Sequence, residues 1–226
     1  MTAAQTSGAF PLQNLQPDPG LAIEKYRRHA AGYDASAQRT MALRRRVIAL
    51  LGLAPGDTVL DVACGTGLSL PLLREAVGPS GHVIGIEVSP EMIGLARERV
   101  AAAGWDNVRL VQAPMEQADP GAPLDAILFN YTHDVLQSPT ALERIFARAR
   151  PRARVAIAGI KHASRWLFPL RLYRRLKAEP YVTTLSGLDA PWRLLQAYVP
   201  DLRIEPVLFG TNYLARGTVH PAALPG

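Results

Sequence analysis

The sequence has a single cysteine, Cys64, among its 226 residues. One thiol cannot form an intrachain disulfide, and it cannot build a cysteine-rich zinc site. The sequence also has no apolar run of the length that a membrane-spanning helix needs, the nearest being VIALLGLA at residues 47–54. The first twenty residues have neither a basic start nor a continuous apolar segment, which argues against a secretory signal. We therefore expect a cytoplasmic protein without a transmembrane segment.

The composition is that of a globular domain, with 48% hydrophobic and 19% charged residues. A chain of this length has room for one well-buried core and is short for two. We expect a flexible tail at residues 1–20 and a single domain at 21–226, present as a monomer or a homodimer. Within that domain, residues 21–52 are predicted to form an N-terminal helical lid, and residues 161–188 a basic insert.

The net charge of +6 is concentrated in one segment. Residues 161–179 contain six basic side chains and one acidic side chain. No recognisable nucleic-acid motif accompanies them, so an anionic small substrate or peripheral contact with a lipid surface competes with RNA as the reason. A solvated helix face explains the charge equally well.

Between residues 58 and 160 the chain alternates between apolar runs and amphipathic segments. Five runs read as buried strands, at 58–63, 82–88, 107–113, 124–130 and 154–160, and the segments 68–77, 89–104 and 138–151 read as helices. Nearly continuous apolar strands separated by helices predict a parallel sheet covered on both faces.

The end of the chain has a different pattern. After a predicted helix at 190–199, the runs 202–210 and 211–219 read as strands joined by a Gly-Thr-Asn turn. The predicted fold class is therefore α/β, Rossmann-like and doubly wound, with seven mostly parallel strands that end in an antiparallel hairpin.

The stretch VLDVACGTGLSLPLL, residues 59–73, reads as a strand, a glycine loop and a helix. A dinucleotide loop needs a third glycine where Leu70 stands, and a triphosphate loop needs a Gly-Lys-Ser/Thr that is absent. Glu87 follows at the end of the next predicted strand, where a carboxylate can accept hydrogen bonds from both ribose hydroxyls. Together the loop and the acid predict a nucleoside at the carboxyl edge of the sheet.

These residues also carry a resemblance. VLDVACGTG followed by VIGIEVSPEMIGLARERV is similar to the first two motifs of class I S-adenosylmethionine-dependent methyltransferases, close to the ubiquinone/menaquinone-biosynthesis type, and the likeness runs from about Tyr26 to the final hairpin. It implies an enzyme that uses S-adenosyl-L-methionine, releases S-adenosyl-L-homocysteine, needs no metal and methylates a small molecule. The cofactor residues that it implies are Asp61, Ala63, Gly65, Gly67, Glu87, Met92, Ala113, Met115, Asn130, Tyr26 and Tyr33.

Each of these residues has an expected role. Asp61 and the backbone of Ala63 and Gly65 would hold the methionine part, with Gly67 allowing a close approach of the chain. Glu87 would bind the ribose and Met92 would pack on the adenine. The family's third motif usually supplies an acid where this sequence has Pro114, so we expect backbone groups around Ala113 and Met115 to contact the adenine instead.

The acceptor is expected beyond the fourth strand, in FNYTHDVL at residues 129–136. By analogy Asn130 touches the methionine end of the cofactor, while Tyr131 and Thr132 line the acceptor pocket. His133 is a candidate base or substrate-orienting residue, because a neutral imidazole at a strand end can take a proton from a hydroxyl or ammonium group. Asp134 is a second catalytic candidate, although it could instead cap or orient the segment that follows it.

Two further segments could close the site. Tyr26 and Tyr33 lie in a stretch that resembles the tyrosine-bearing helix folded over the cofactor in related enzymes, although tyrosines at this spacing can also form a packing face. Trp166 lies in the basic insert and is a candidate substrate contact.

The sequence leaves open which molecule accepts the methyl group and whether the chain transfers it at all. The acceptor atom could be nitrogen, oxygen or carbon, on an aromatic or anionic molecule. A phospholipid head group and RNA are alternative acceptors, although no nucleic-acid partner is expected. A module that binds the cofactor without transferring the methyl group is the non-catalytic alternative.

Overall fold

A computed structural model describes residues 17–18, 20–21, 23–24, 27, 34, 40–162, 183–184 and 186–223. The proposed tail at residues 1–20 falls almost wholly outside these residues, as do Tyr26, Tyr33, Trp166 and most of the basic insert. Residue 20, at the end of the proposed tail, is helical, and so are the described residues at 21, 23, 24, 27, 34 and 41–50 of the proposed lid.

Five α-helices and seven β-strands have both ends within the described residues. The helices are α1 (Met41–Leu50), α2 (Leu70–Val77), α3 (Pro90–Ala103), α4 (His133–Leu136) and α5 (Pro139–Phe146). The strands are β1 (Thr58–Val62), β2 (His82–Glu87), β3 (Val108–Gln112), β4 (Leu124–Asn130), β5 (Ala149–Ile160), β6 (Arg203–Val207) and β7 (Asn212–Thr218).

The strands form one sheet in the order β3-β2-β1-β4-β5-β7-β6. Strands β1 to β5 are parallel, and β7 pairs antiparallel with both β5 and β6. The predicted α/β fold with a terminal antiparallel hairpin is confirmed. The strand order reverses between β1 and β4, and the crevice outside the carboxyl ends of strands at such a point is where open α/β sheets bind ligands.

Apolar side chains cover both faces of the sheet. On one face Val47 and Ile48 of α1 pack with Leu70 and Leu73 of α2. On the other face α5 and the segment 192–199 pack against Phe129 and neighbouring strand residues. This two-sided burial explains why the central strands read as nearly continuous apolar runs.

Two sequence-based assignments differ from the structure. The predicted helix at 190–199 is a series of turns with a short 3-10 helix at Leu194–Ala197, and Leu195 and Val199 of this segment pack into the core. The third predicted helix ends at Phe146 rather than continuing to Pro151, because β5 already begins at Ala149, opposite Leu124. No helix among the described residues is long and apolar enough to span a membrane.

Candidate functional site

A cavity opens at the carboxyl edge of β1, β2, β3 and β4, on the side where the strand order reverses. Its lining comes from the loops that follow these strands and from the segment at residues 17–18. The lining residues that the sequence predicted are Ala63, Gly65, Glu87, Met92, Ala113, Met115, Asn130, Tyr131, Thr132, His133 and Asp134. The fold therefore brings most of the predicted site residues to one cavity.

Glu87 joins the glycine loop to the start of α3. Its Oε2 accepts a hydrogen bond from the backbone N–H of Gly65 at 3.0 Å, and its Oε1 accepts one from the N–H of Ser89 at 2.9 Å. The side chain is 5% exposed, and its burial raises the pKa of the carboxyl group while the backbone hydrogen bonds lower it. Glu87 thus fixes the loop as well as facing the cavity.

Ala63 and Tyr131 mark the ends of the two central strands with unusual backbone geometry. Both are non-glycine residues with positive φ, 49° for Ala63 and 61° for Tyr131, and both line the cavity. Such conformations cost energy and persist only where the surroundings enforce them. Here Tyr131 donates its N–H to the carbonyl of Ala158 at 2.7 Å, and its hydroxyl accepts a hydrogen bond from Asn212. The strained turns direct both strand ends toward the ligand space.

Asp61 lies at the carboxyl end of β1 but outside the cavity lining among the described residues. It is 1% exposed, and its Oδ2 has no hydrogen-bond partner in the described part of the chain. Burial raises the pKa of Asp61 to about 7, against the opposing effects of the Arg44 guanidinium and the Ser69 hydroxyl.

Arg44, the cation beside Asp61, is not among the site residues that the sequence predicted. Arg44 in α1 is 6% exposed, and its Nη1 donates to the Oγ of Ser69 at 2.5 Å. With its amide oxygen turned toward the guanidinium, Asn130 accepts hydrogen bonds from Nη1 at 2.6 Å and from Nη2 at 3.1 Å. The signal was present as helical spacing, because Arg44 shares one face of the helix with Val47, Ile48 and Leu51.

Gly67 has a different position from the one the resemblance implied. It does not belong to the described cavity lining, and a Cβ built on it would lie 2.7 Å from Cδ1 of Leu70 and 3.2 Å from Cβ of Ala96. Its φ of +79° also favours glycine. In this structure Gly67 allows the start of α2 to pack against α3.

The far end of the cavity is lined by Met92, Ala113, Pro114 and Met115, all on or after β2 and β3. Met92 and Met115 are buried and present a polarizable apolar wall. Glu116 also lines this end, two residues after Pro114, the position at which the family's third motif usually has its acid. One oxygen of Glu116 accepts a hydrogen bond from the Ser138 hydroxyl at 2.7 Å.

His133 is the first residue of α4 and is 5% exposed. Its Nε2 lies 2.9 Å from the backbone carbonyl of Ser186. Because a carbonyl can only accept, Nε2 carries the hydrogen, and in a neutral ring Nδ1 then has the lone pair. Burial lowers the pKa of His133, partly offset by Asp134, and Nδ1 has no partner among the described residues.

Asp134 ties three segments together at the cavity. Its Oδ2 accepts hydrogen bonds from the backbone N–H of Thr183 at 2.9 Å and from the hydroxyl of Thr183 at 2.7 Å. The same hydroxyl accepts from the N–H of Asp18 at 3.0 Å, and Asp18 lines the cavity. Asp134 therefore orients the covering segments. The alternative role, in which its carboxylate caps the segment that follows it, has no corresponding hydrogen bond among the described residues.

The proposed lid touches the glycine loop as well. The carboxylate of Asp34 accepts hydrogen bonds from the Thr66 hydroxyl at 2.5 Å and from Nη2 of Arg99 at 2.8 Å. Arg99 also donates from Nε to the carbonyl of Thr66 at 3.1 Å. The N-terminal segment is thereby anchored beside the first motif.

The sequence was compared with known protein families and proteins. Residues 53–183 match the family model described as a methyltransferase domain. A demethylmenaquinone methyltransferase from Symbiobacterium thermophilum is 30% identical over 193 residues, which cover 74% of this chain and 76% of that protein. An arsenite methyltransferase from Halobacterium salinarum is 50% identical over 60 residues, covering 26% of this chain and 15% of that protein.

Solved structures have the same architecture. The crystal structure of a SAM-dependent methyltransferase from Aquifex aeolicus is 26% identical with a TM-score of 0.58, covering 78% of this chain and 89% of that one. The N-methyltransferase NodS from Bradyrhizobium japonicum, in complex with S-adenosyl-L-homocysteine, is 16% identical with a TM-score of 0.64, covering 88% and 98% of the two chains. The second likeness is one of fold.

Proposed function

The chain belongs to the class I S-adenosylmethionine-dependent methyltransferases, and on that premise we propose that it methylates a small molecule that carries an ionisable proton. S-adenosylmethionine is the methyl donor of this enzyme. The observation that supports the acceptor class is the cavity-lining His133, whose Nδ1 is buried without a partner among the described residues while Nε2 donates to Ser186.

The donor half of the cavity fits the cofactor. Glu87, with its carboxylate at the end of β2, is placed for the ribose hydroxyls, and the backbone of Ala63 and Gly65 lies toward the methionine part. Met92, Ala113 and Met115 supply an apolar slot for the adenine. Glu116 adds a carboxylate at that slot, which suits the adenine amino group. Supplied with the cofactor, this site gains an electrophilic methyl group on a sulfonium.

The acceptor half lies beyond β4. We assign Tyr131 and Thr132 to its walls and His133 to the proton-accepting role. A hydroxyl or ammonium acceptor would lose its proton to Nδ1 of His133, and its freed electron pair, or the ring carbon that it activates, would take the methyl group. The bond from the methyl carbon to the sulfonium sulfur breaks as the new bond forms, S-adenosyl-L-homocysteine leaves, and a methylated ring carbon afterwards loses its own proton. The chain's main contribution is alignment of the two molecules in a space that excludes water.

A small acceptor agrees with the enclosure of the site. Asp18, Thr183 and the segment around Ser186 cover the region next to His133 through the contacts of Asp134. Demethylmenaquinone, the acceptor in the name of the Symbiobacterium thermophilum relative, has ionisable hydroxyl groups once it is reduced to the quinol, and that form is one member of the class. The acceptor named for the Halobacterium salinarum relative is arsenite, so a match over 60 residues does not by itself select an acceptor.

Methyl-labelled cofactor tests the proposal directly. The protein is incubated with labelled S-adenosylmethionine and separate panels of quinols and catechols, primary and secondary amines, anionic phospholipid vesicles and structured RNA. We expect label in the first two panels. Transfer only to phospholipid or RNA would overturn the small-molecule assignment, and the absence of transfer despite cofactor binding would favour a non-catalytic module.

A matched pair of variants identifies the base. His133→Asn should bind S-adenosyl-L-homocysteine like the wild type but transfer little label. His82→Asn removes an exposed histidine at the amino end of β2, on the opposite edge of the sheet from the cavity, and it should leave transfer unchanged.

A further inference from the structure

Arg44 is a buried cation at the donor site whose charge the mechanism above does not use. It projects from α1, 17 positions before Asp61 in the sequence, into the space below the glycine loop. There the guanidinium contacts Ser69 and Asn130 and lies close enough to Asp61 to lower the pKa of that carboxyl group. A charged side chain that is this deeply buried is costly unless its partners compensate for the lost hydration.

The contacts of the guanidinium decide how the Asn130 amide is oriented. Nη1 and Nη2 both donate to the side-chain oxygen of Asn130, so the amide NH₂ group is turned away from Arg44. Asn130 is also part of the cavity lining, at the end of β4. An amide held in this way offers a hydrogen-bond donor to whatever lies beside it, and that arrangement suits a carboxylate rather than an ammonium group.

Ser69 and Asp61 extend the same cluster beneath the loop. The Ser69 hydroxyl accepts from Nη1 of Arg44 and donates to Asp61, which helps this buried carboxyl group ionise. In addition to burial, the negative charge of Glu87 raises the pKa of Asp61, and the charge of Asp61 in turn raises the pKa of the Cys64 thiol. Arg44 is thus the cation that offsets the negative charge of the buried Asp61.

We propose that Arg44 is a positioning residue for the methionine end of the cofactor, acting through Asn130 and Asp61. This inference rests on the proposed placement of the cofactor in the cavity. Arg44 orients the amide donor of Asn130 toward the cofactor's carboxylate and offsets the negative charge of Asp61 at the same end. The adenosine end is bound by Glu87, Met92 and Met115, which do not contact the guanidinium in the described structure.

Two ligands separate this role from a merely structural one. S-adenosyl-L-homocysteine contains the amino acid portion, whereas 5′-methylthioadenosine keeps the adenosine and the sulfur but lacks that portion. In calorimetry, Arg44→Lys and Arg44→Met should bind S-adenosyl-L-homocysteine about tenfold or more weakly than the wild type, as expected for loss of hydrogen bonds that involve a charged group. The affinity for 5′-methylthioadenosine should change by less than about twofold, because effects at sites that do not interact agree to within about that factor.

Arg44→Lys keeps the charge but loses the planar guanidinium that holds Asn130. We therefore expect it to lose affinity for S-adenosyl-L-homocysteine, as Arg44→Met does. If Arg44→Met does not fold, Arg44→Lys alone carries the prediction. Arg45→Met is the matched control, because Arg45 is the next residue of α1 and is exposed. This variant should bind both ligands like the wild type.

A double-mutant cycle tests the route through Asn130. Asn130→Ser should also bind S-adenosyl-L-homocysteine more weakly and keep its affinity for 5′-methylthioadenosine. The double variant Arg44→Lys with Asn130→Ser should have an affinity for S-adenosyl-L-homocysteine within about twofold of that of the weaker single variant. Equal weakening of both ligands, no weakening of either, or additive losses would overturn the inference. Failure of the proposed function is distinguishable, since the wild type would then bind no S-adenosyl-L-homocysteine or transfer no label.

Discussion

The carboxylate of Glu87 and the backbone N–H of Gly65 are joined by a 3.0 Å hydrogen bond that links the end of β2 to the glycine loop after β1. The second oxygen of Glu87 holds the N–H of Ser89, whose hydroxyl caps α3 by accepting from the N–H of Met92. One acid therefore fixes the loop and the helix start that together frame the donor half of the cavity. In the proposed function, the same carboxylate binds the ribose hydroxyls of the cofactor.

Glu87→Gln should weaken both binding and folding. An amide has one accepting oxygen, so one of the two backbone N–H groups loses its partner, which typically costs about 1–3 kcal/mol for a buried group. We expect urea unfolding to show a loss in that range and calorimetry to show weaker binding of S-adenosyl-L-homocysteine. Glu91→Gln is the control on the neighbouring helix, where an exposed ion pair with Arg27 contributes little. Equal behaviour of the two variants would refute this role for Glu87.

Asp61 should make stability depend on pH. Its pKa rises from 3.8 to about 7 on folding, so the folded state holds the proton more tightly than the unfolded state does. Stability is therefore lost as the pH rises from about 4 to about 7, and the loss is complete above that range. Relative to Asp61→Asn, we expect the wild type to lose about 2–3 kcal/mol in the free energy of unfolding between pH 5 and pH 7. Parallel pH profiles for the two proteins would contradict the assignment.

His133 should control the rate without controlling cofactor affinity. Loss of a general base typically costs a factor of about 10²–10⁴, so His133→Asn should lower kcat/KM by that range. Because burial lowers the pKa of His133, the wild-type rate should rise with pH below the usual histidine range and be level above it. Single-turnover rates measured against pH test both statements. A variant that keeps the rising limb would show that another group titrates.

Two glycines give opposite predictions for the same substitution. Gly67→Ala places a Cβ 2.7 Å from Leu70 at a φ of +79°, so we expect a loss of about 1–3 kcal/mol in stability. Gly94 lies within α3 with no atom within 4 Å of a built Cβ, and Gly94→Ala should stabilise the protein by about 0.5–1 kcal/mol. Thermal unfolding of both variants gives the comparison. A destabilised Gly94→Ala would contradict the packing described for α3.

Local sequence patterns predicted the sheet and the donor half of the site. The apolar runs, the glycines after β1 and the acid ending β2 each depend on residues close in the sequence, and parallel strands bring their carboxyl ends to one edge. Ala63, Gly65, Glu87 and Met92 could therefore be placed together. Local spacing was less informative at 190–199, where turns replace a predicted helix because long-range packing of Leu195 and Val199 decides the path.

The amino-acid sequence by itself determined the order of the elements and the glycine loop beside the cavity, because these follow from periodicity and from glycine backbone freedom. Only the tertiary structure decided which polar groups meet across the fold. Arg44 reaches Asn130 from α1, and Ser186 reaches His133 across 53 positions of sequence. Such partners are chosen by the packing of distant segments and by the need to satisfy buried polar atoms, which no local pattern encodes.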